Sequence, residues 1–312
     1  MLQQLLFTIG AGIASAVFFF IPVKGSALAL FLGVLAPLPL LIVALGNGLR
    51  SAAVAALVGA ALIAAVLTPW LSLTYVAFIV TPAVVVAWFA LTSRPDTGLG
   101  GCLAAIVGVT VAADWVAIIV AGFGYESFEA AVSDLSARFV PLIEALFRQM
   151  ESMPAGVNAR DFARLLVYAL APFMAIWGVF TLALNLWLAG RVVHLSARLP
   201  RPWPDIPREL GLPQRAGFVL AVFVGVAFAM PGAWRIFAAT VAAGIAAALA
   251  LQGLAVFHFR TRGAPARGGI LFGLYGAMLI VFPWPLLFAA AVGLVDLFHP
   301  LRGGKPVSPA NT

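Results

Sequence analysis

The chain has 312 residues, of which 63% are hydrophobic and 9% charged, and its formal net charge is +7. Soluble domains carry about 25% charged residues, and a folded chain of this size cannot hide so much apolar surface from water. A soluble globular fold is therefore excluded. The basic residues fall in short loops between apolar stretches, which points to the positive-inside bias and anionic headgroups rather than to nucleic acid.

An apolar segment needs about 20 residues to cross a hydrocarbon core about 30 Å thick. By that rule, spans are predicted at 3–22, 27–46, 51–68, 71–92, 102–122, 165–190, 216–231 and 234–259, followed by a last apolar stretch at 269–298. Met1-Leu2-Gln3-Gln4 offers no positively charged n-region, so the first span reads as a retained helix rather than a cleaved signal. The second span contains Ala36-Pro37-Leu38-Pro39-Leu40. Proline removes a backbone donor and frees carbonyls that something else must satisfy. Broken helices of this type frame substrate sites in transporters, which makes Pro37 and Pro39 candidate site residues; a structural kink is the competing reading.

The fifth span carries Cys102, the one cysteine in the chain, so an intrachain disulfide or a cysteine-built metal site is excluded. It also carries Asp114. An ionisable group at membrane depth costs about 2.5–3.5 kcal/mol and is a functional candidate by default. Thr110, Ala117 and Ala121 share its side of the helix, a small-residue face suited to helix packing. Asp114 and Thr110 are thus candidate ligand-binding residues, with an interhelical hydrogen bond as the alternative.

Residues 123–164 interrupt the spans. Phe128, Ala131, Leu135, Phe139, Leu142, Leu146 and Met150 recur every three or four residues, as on one face of an amphipathic helix that Pro141 would split or bend. Such a helix is expected to lie along the outer membrane surface, or to fold over the bundle as a lid. The sixth span places Trp177, Thr181 and Asn185 at intervals of four, and the eighth does the same with Thr240, Gly244, Ala248 and Gln252. Both stripes suit close packing; Asn185 and Gln252 would line a polar pocket if one exists.

Pro200, Pro202, Pro204, Pro207 and Pro213 alternate with arginines, which predicts an extended cytoplasmic connector near the headgroups. The chain divides into an N-terminal block 1–190 with the 123–164 insertion, the connector 191–215, a C-terminal block 216–302 and a disordered tail 303–312. The 269–298 stretch would be about 45 Å long as one helix. Pro283-Trp284-Pro285 in its middle makes it either a kinked helix or a hairpin. Asp296 and His299 are too few for a metal site, and Asp296 is expected to pair with Arg302 or another arginine. His194 and His258 read as interface residues. Placing Arg191, Arg198, Arg201, Arg208 and Arg215 in the cytoplasm also places Arg50, Arg94, Arg260, Arg262 and Arg267 there, with the N-terminus inside the inner membrane of a bacterial cell.

No phosphate-binding glycine loop, His-Glu-x-x-His or Gly-x-Ser-x-Gly motif occurs. No enzyme activity, cofactor or metal is therefore expected.

Ala36-Pro37-Leu38-Pro39-Leu40 with Gly48-Leu49-Arg50, and the ending Gly293-Leu294-Val295-Asp296-Leu297-Phe298-His299-Pro300-Leu301-Arg302, resemble the YybS-like family of bacterial membrane proteins. That family is distantly similar to the six-helix substrate-binding subunits of energy-coupling-factor vitamin transporters. In those subunits a small-residue motif on the first helix contacts the coupling subunit, and Thr8, Gly12 and Ala16 match such spacing here. This chain has three or four additional segments. The expected fold is an all-α polytopic transmembrane bundle of about nine helices (eight to ten) with an amphipathic extracytoplasmic helix. The expected function is small-molecule transport or substrate binding in the bilayer; a membrane scaffold binding cell-envelope proteins is the alternative.

Overall fold

The computed structural model describes residues 2–25, 27–92, 98–149, 158–200 and 202–303. Met150, Arg94, Arg201 and the tail beyond Gly303 lie outside the described residues. Every regular element among the described residues is helical: α1 Leu2–Phe20, α2 Ala27–Val34, α3 Leu38–Asn47, α4 Leu49–Val66, α5 Pro69–Tyr75, α6 Thr81–Thr92, α7 Gly98–Gly122, α8 Phe128–Gln149, α9 Ala159–Leu195, α10 Ile206–Glu209, α11 Arg215–Ala229, α12 Gly232–Arg260, α13 Arg267–Ile280 and α14 Trp284–Phe298. Helix is the one open form that satisfies its own backbone in lipid, which is why so apolar a sequence resolves this way.

Seven segments among the described residues are long and apolar enough to cross a bilayer: α1, residues 29–47, α4, residues 69–92, α7, α9 and α12. The apolar helices α11, α13 and α14 are shorter, at 15, 14 and 15 residues. The span at 69–92 is α5 and α6 joined by a π-turn at Val76–Val80, where the Thr81 hydroxyl donates to the Val76 carbonyl at 2.9 Å. Thr68 caps the start of α5 by accepting from the Leu71 N–H.

The expected Thr240, Gly244 and Gln252 stripe is buried on α12, which packs against α7, α9, α11 and α14 and forms the centre of the bundle. Small residues permit the closest approaches. At α1–α4 a side chain on Gly12 would run into the Ala55 carbonyl, with Thr8 and Ala16 buried on the same face. The Thr8-Gly12-Ala16 motif is thus used inside this chain, against α4, rather than left free for a separate subunit.

The α2–α3 break shows where freed carbonyls go. Leu38 N–H turns back to the Leu35 carbonyl, so Val34 and Ala36 lack their usual helical donors. Ser15 of α1 donates to the Ala36 carbonyl at 2.7 Å and in turn accepts from Tyr75 at 2.9 Å, while Asn185 of α9 donates to the Val34 carbonyl at 2.8 Å. The proline pair is therefore stitched to three other helices, which is the structural-kink reading. Replacing Asn185 with leucine is expected to destabilise the chain by about 1–3 kcal/mol, the cost of an orphaned buried carbonyl. Thermal unfolding followed by helical circular dichroism measures this; an unchanged midpoint would show that the carbonyl needs no partner.

The last apolar stretch breaks at 281–283, between α13 and α14. Its flanking arginines both reach the connector, Arg262 at Asp205 and Arg302 at the Pro207 and Leu210 carbonyls. A straight helix over 267–298 would separate its ends by about 48 Å. The segment must instead turn back at the break, which decides for the hairpin over the single kinked helix.

Candidate functional site

The connector end gathers the C-termini of α9, α12 and α14 and the N-termini of α7 and α11. Trp203 packs against Gly190, lies near the ring of His194 and sits under the Arg191 guanidinium, 5.6 Å from its centroid. Asp205 forms a forked ion pair with Arg262. Asp296, nearly buried, accepts from Gln252 at 2.7 Å, from Arg302 at 2.5 Å and from the Leu301 N–H at 2.9 Å. Gln252 uses its oxygen on the Leu212 N–H at 2.9 Å. The expected Asp296–Arg302 pair is present, and Gln252 belongs to this latch rather than to a ligand pocket. His258 meets the Tyr275 hydroxyl at 2.7 Å.

The opposite end holds α8. It is continuous through Pro141, which sits on its exposed side and neither splits nor ends it. The face that packs on α9 carries Val132, Ser136, Phe139, Ile143 and Phe147, rotated from the predicted stripe, and meets Ala159, Phe162 and Ala163 in a small separate core. Leu142 and Leu146 of the predicted stripe remain 66% and 49% exposed, so only half of the apolar arc is covered. Thr110 of α7 lies against Gly178 of α9. Counting equal rises from that contact, the end of α7 is level with about residue 166 of α9. The first turns of α9, with α8 packed on them, therefore stand beyond the ends of the neighbouring spans.

Glu129 of α8 ties this pair together, bonding Tyr168 at 2.7 Å and Arg164 at 2.5 Å. The Tyr168 hydroxyl first, and then Arg164, hold the Glu129 carboxyl below its ordinary value of 4.5. A depressed folded value means that the contribution to stability is present above the ordinary value and is lost as pH falls through the folded one. The protection of α8 amides, corrected for the pH dependence of intrinsic exchange, is expected to fall as pH drops below 4.5, and Glu129→Gln is expected to show the lower protection already at neutral pH. An α8 equally protected at pH 3 and pH 7 would show that Glu129 does not hold α8 on α9.

The six candidate residues do not converge on one place. Pro37 and Pro39 form the stitched break, Asn185 satisfies it, Gln252 sits in the latch, and the Thr110 hydroxyl donates to its own helix at the Ile106 carbonyl. Asp114 stands apart. Its Oδ2 and the Asn185 Oδ1 are the buried side-chain oxygens without a hydrogen-bond partner among the described residues. Asp114 is one helical turn beyond Thr110, about two turns from the α8 end of α7. Its side of α7 is the side of Thr110 and Val107, which meet Gly178 of α9 and Gly244 of α12. One turn further out, a groove of about 240 Å³ opens at the α8 end, lined by Ile118, Ile119, Gly122, Tyr125, Ser127, Phe128 and Phe237. Sequence reasoning missed this groove because its walls come from α7, the start of α8 and α12, which are far apart in the chain. A larger apolar groove between α6 and α7, about 520 Å³, is lined by Val85, Phe89, Gly101, Ala104, Ala105, Gly108 and Val109 and offers no charged group. Among the described residues no three histidine, cysteine or acidic side chains gather as a metal site.

Apolar helices of spanning length, polar groups consumed inside the bundle and exposed apolar flanks define a polytopic helical membrane protein. The chain belongs to the family described as a predicted membrane protein (DUF2232), whose family model matches residues 13–297. No curated protein and no solved structure matches it.

Proposed function

We propose that this chain is a membrane component that binds a small molecule at Asp114, in the manner of a transport or substrate-binding subunit. The observation that carries this reading is the carboxyl oxygen of Asp114, buried without a partner, where the buried Asp296 by contrast is fully paired. An unpaired carboxyl at membrane depth is expensive, and a cationic or hydrogen-bonding ligand offsets that cost. The YybS-like resemblance, with its more distant likeness to energy-coupling-factor subunits, supports the same reading. The internal use of the Thr8-Gly12-Ala16 face argues that any partner docks elsewhere. The reading has no catalytic step. It places the connector end and the N-terminus in the cytoplasm of a bacterial cell, supported by the arginines gathered there.

The test is native mass spectrometry of the full chain extracted from its own membrane, alongside the Asp114→Asn variant. A small molecule retained at unit stoichiometry by the parent and lost by the variant is expected. A retained protein subunit with no small molecule would favour the scaffold reading, whose supporting observation is the connector held in place by Trp203, Asp205 and the latch.

A further inference from the structure

We infer that the groove at the α8 end binds an organic ammonium ion, its charged head directed toward Asp114 and its apolar body held between aromatic rings. The inference rests on the small-molecule reading and adds the chemical class of the ligand.

Three observations carry it. First, the groove wall is aromatic: Phe237 of α12, Phe128 of α8 and Tyr125 of the preceding loop line it. Trp115 and Trp234 pack on Phe237, with ring centroids 5.3 and 6.5 Å away. Aromatic faces attract cations, most strongly where water is excluded. Second, an unpartnered carboxyl oxygen lies close by. Ile118 lines the groove, and Asp114 is one turn deeper on the same helix, with its Oδ2 unpartnered. Glu126 stands in sequence between the lining residues Tyr125 and Ser127. Three arginines of this end are engaged elsewhere: Arg138 with Asp134, Arg164 with Glu129, and Arg235 with the Met230 carbonyl. Third, the volume of about 240 Å³ suits a small amine rather than a lipid chain or a peptide. An anion would find only the Ser127 hydroxyl as a polar group of the wall beside Tyr125, and the Asp114 carboxyl one turn deeper. A neutral apolar molecule would leave Asp114 as it is and gain nothing over the bilayer. An ammonium ion answers the unpaired carboxyl with charge and uses the rings as well.

The probe is benzyltrimethylammonium, titrated into the full chain in phosphatidylcholine nanodiscs and read by tryptophan fluorescence, since Trp115 and Trp234 flank Phe237. Neopentylbenzene, the uncharged molecule of the same shape, is the control. Saturable binding of the cation is expected, weakened about tenfold or more by Asp114→Asn and by Phe237→Leu, with no saturable response to the control. Both variants are checked for parental helical content and elution volume. Equal binding of the two probes, or undiminished binding by Asp114→Asn, overturns the inference. So does an absence of cation binding while native mass spectrometry still finds an endogenous molecule that depends on Asp114; that result removes the ammonium class and leaves the small-molecule reading standing.

Discussion

Replacing Gly293 with valine is expected to push α14 off α12 and leave the C-terminal block unable to pack. At this crossing a side chain on Gly293 would meet the Leu249 carbonyl and the Gly253 nitrogen, and a side chain on Gly253 would meet the Ala289 carbonyl and the Gly293 nitrogen. The obstacle on each side is backbone held in a helical hydrogen bond, so no rotamer change relieves it. The whole helix must move, and with it the Ala289 and Leu297 contacts that bury α14. The expected loss is about 3 kcal/mol or more, at the upper end of the range for overpacked cores. Gly273→Val on α13, where nothing lies within 4 Å, is the control and should change stability by less than about 1 kcal/mol. Thermal unfolding of the three proteins in one detergent, with size exclusion to detect aggregation, separates the outcomes. A Gly293→Val protein as stable as its parent would mean that α12 and α14 are not in close contact.

The second large effect is expected at the latch. Asp296→Leu removes the acceptor for Arg302, Gln252 and the Leu301 N–H together. It strands the Arg302 guanidinium, whose side chain is only 10% exposed. Stranding one member of a buried pair costs about 3–5 kcal/mol. Because Arg302 also holds the Pro207, Arg208 and Leu210 carbonyls, the loss should be local as well as global: the connector loosens. Trypsin cleavage after Arg208 is expected to be faster in Asp296→Leu than in the parent. The double variant Asp296→Leu with Arg302→Met should recover part of the stability, since no charge is left buried, while cleavage stays fast because the three carbonyls have lost their donor. Parental cleavage rates in both variants would show that Trp203 and the Asp205–Arg262 pair hold the connector unaided.

The latch also marks the limit of pattern reading. Asp296 and Arg302 are close in sequence, and their pairing follows from the cost of leaving either unpaired near a membrane interface. Gln252 is 44 residues from Asp296, and the Leu212 N–H that completes its bonding sits in a proline-rich stretch whose path no periodicity encodes. Asn185 is the same case: its four-residue spacing from Thr181 marks a packing face, but only the placement of α2 beside α9 shows that its amide answers the Val34 carbonyl. On α8 the spacing of three and four was legible, yet an apolar arc wider than one neighbour can cover left the buried side undetermined, and α9 took the Val132–Ile143 side.

What the sequence determined by itself is the membrane, the helical class, the break at Pro37 and Pro39, and the oddity of Asp114. These follow from composition and local rules, because hydrocarbon forbids unpaired backbone and proline interrupts a helix wherever it falls. Tertiary structure decided which polar groups are already spent: Asn185 at the break, Gln252 in the latch, Thr110 on its own helix. It also decided that α8 stands against α9, that 267–298 turns back, and that an aromatic groove opens one turn above Asp114. Those outcomes depend on which distant helices touch, and packing between helices is set by the shapes of whole faces rather than by the spacing of residues along any one of them.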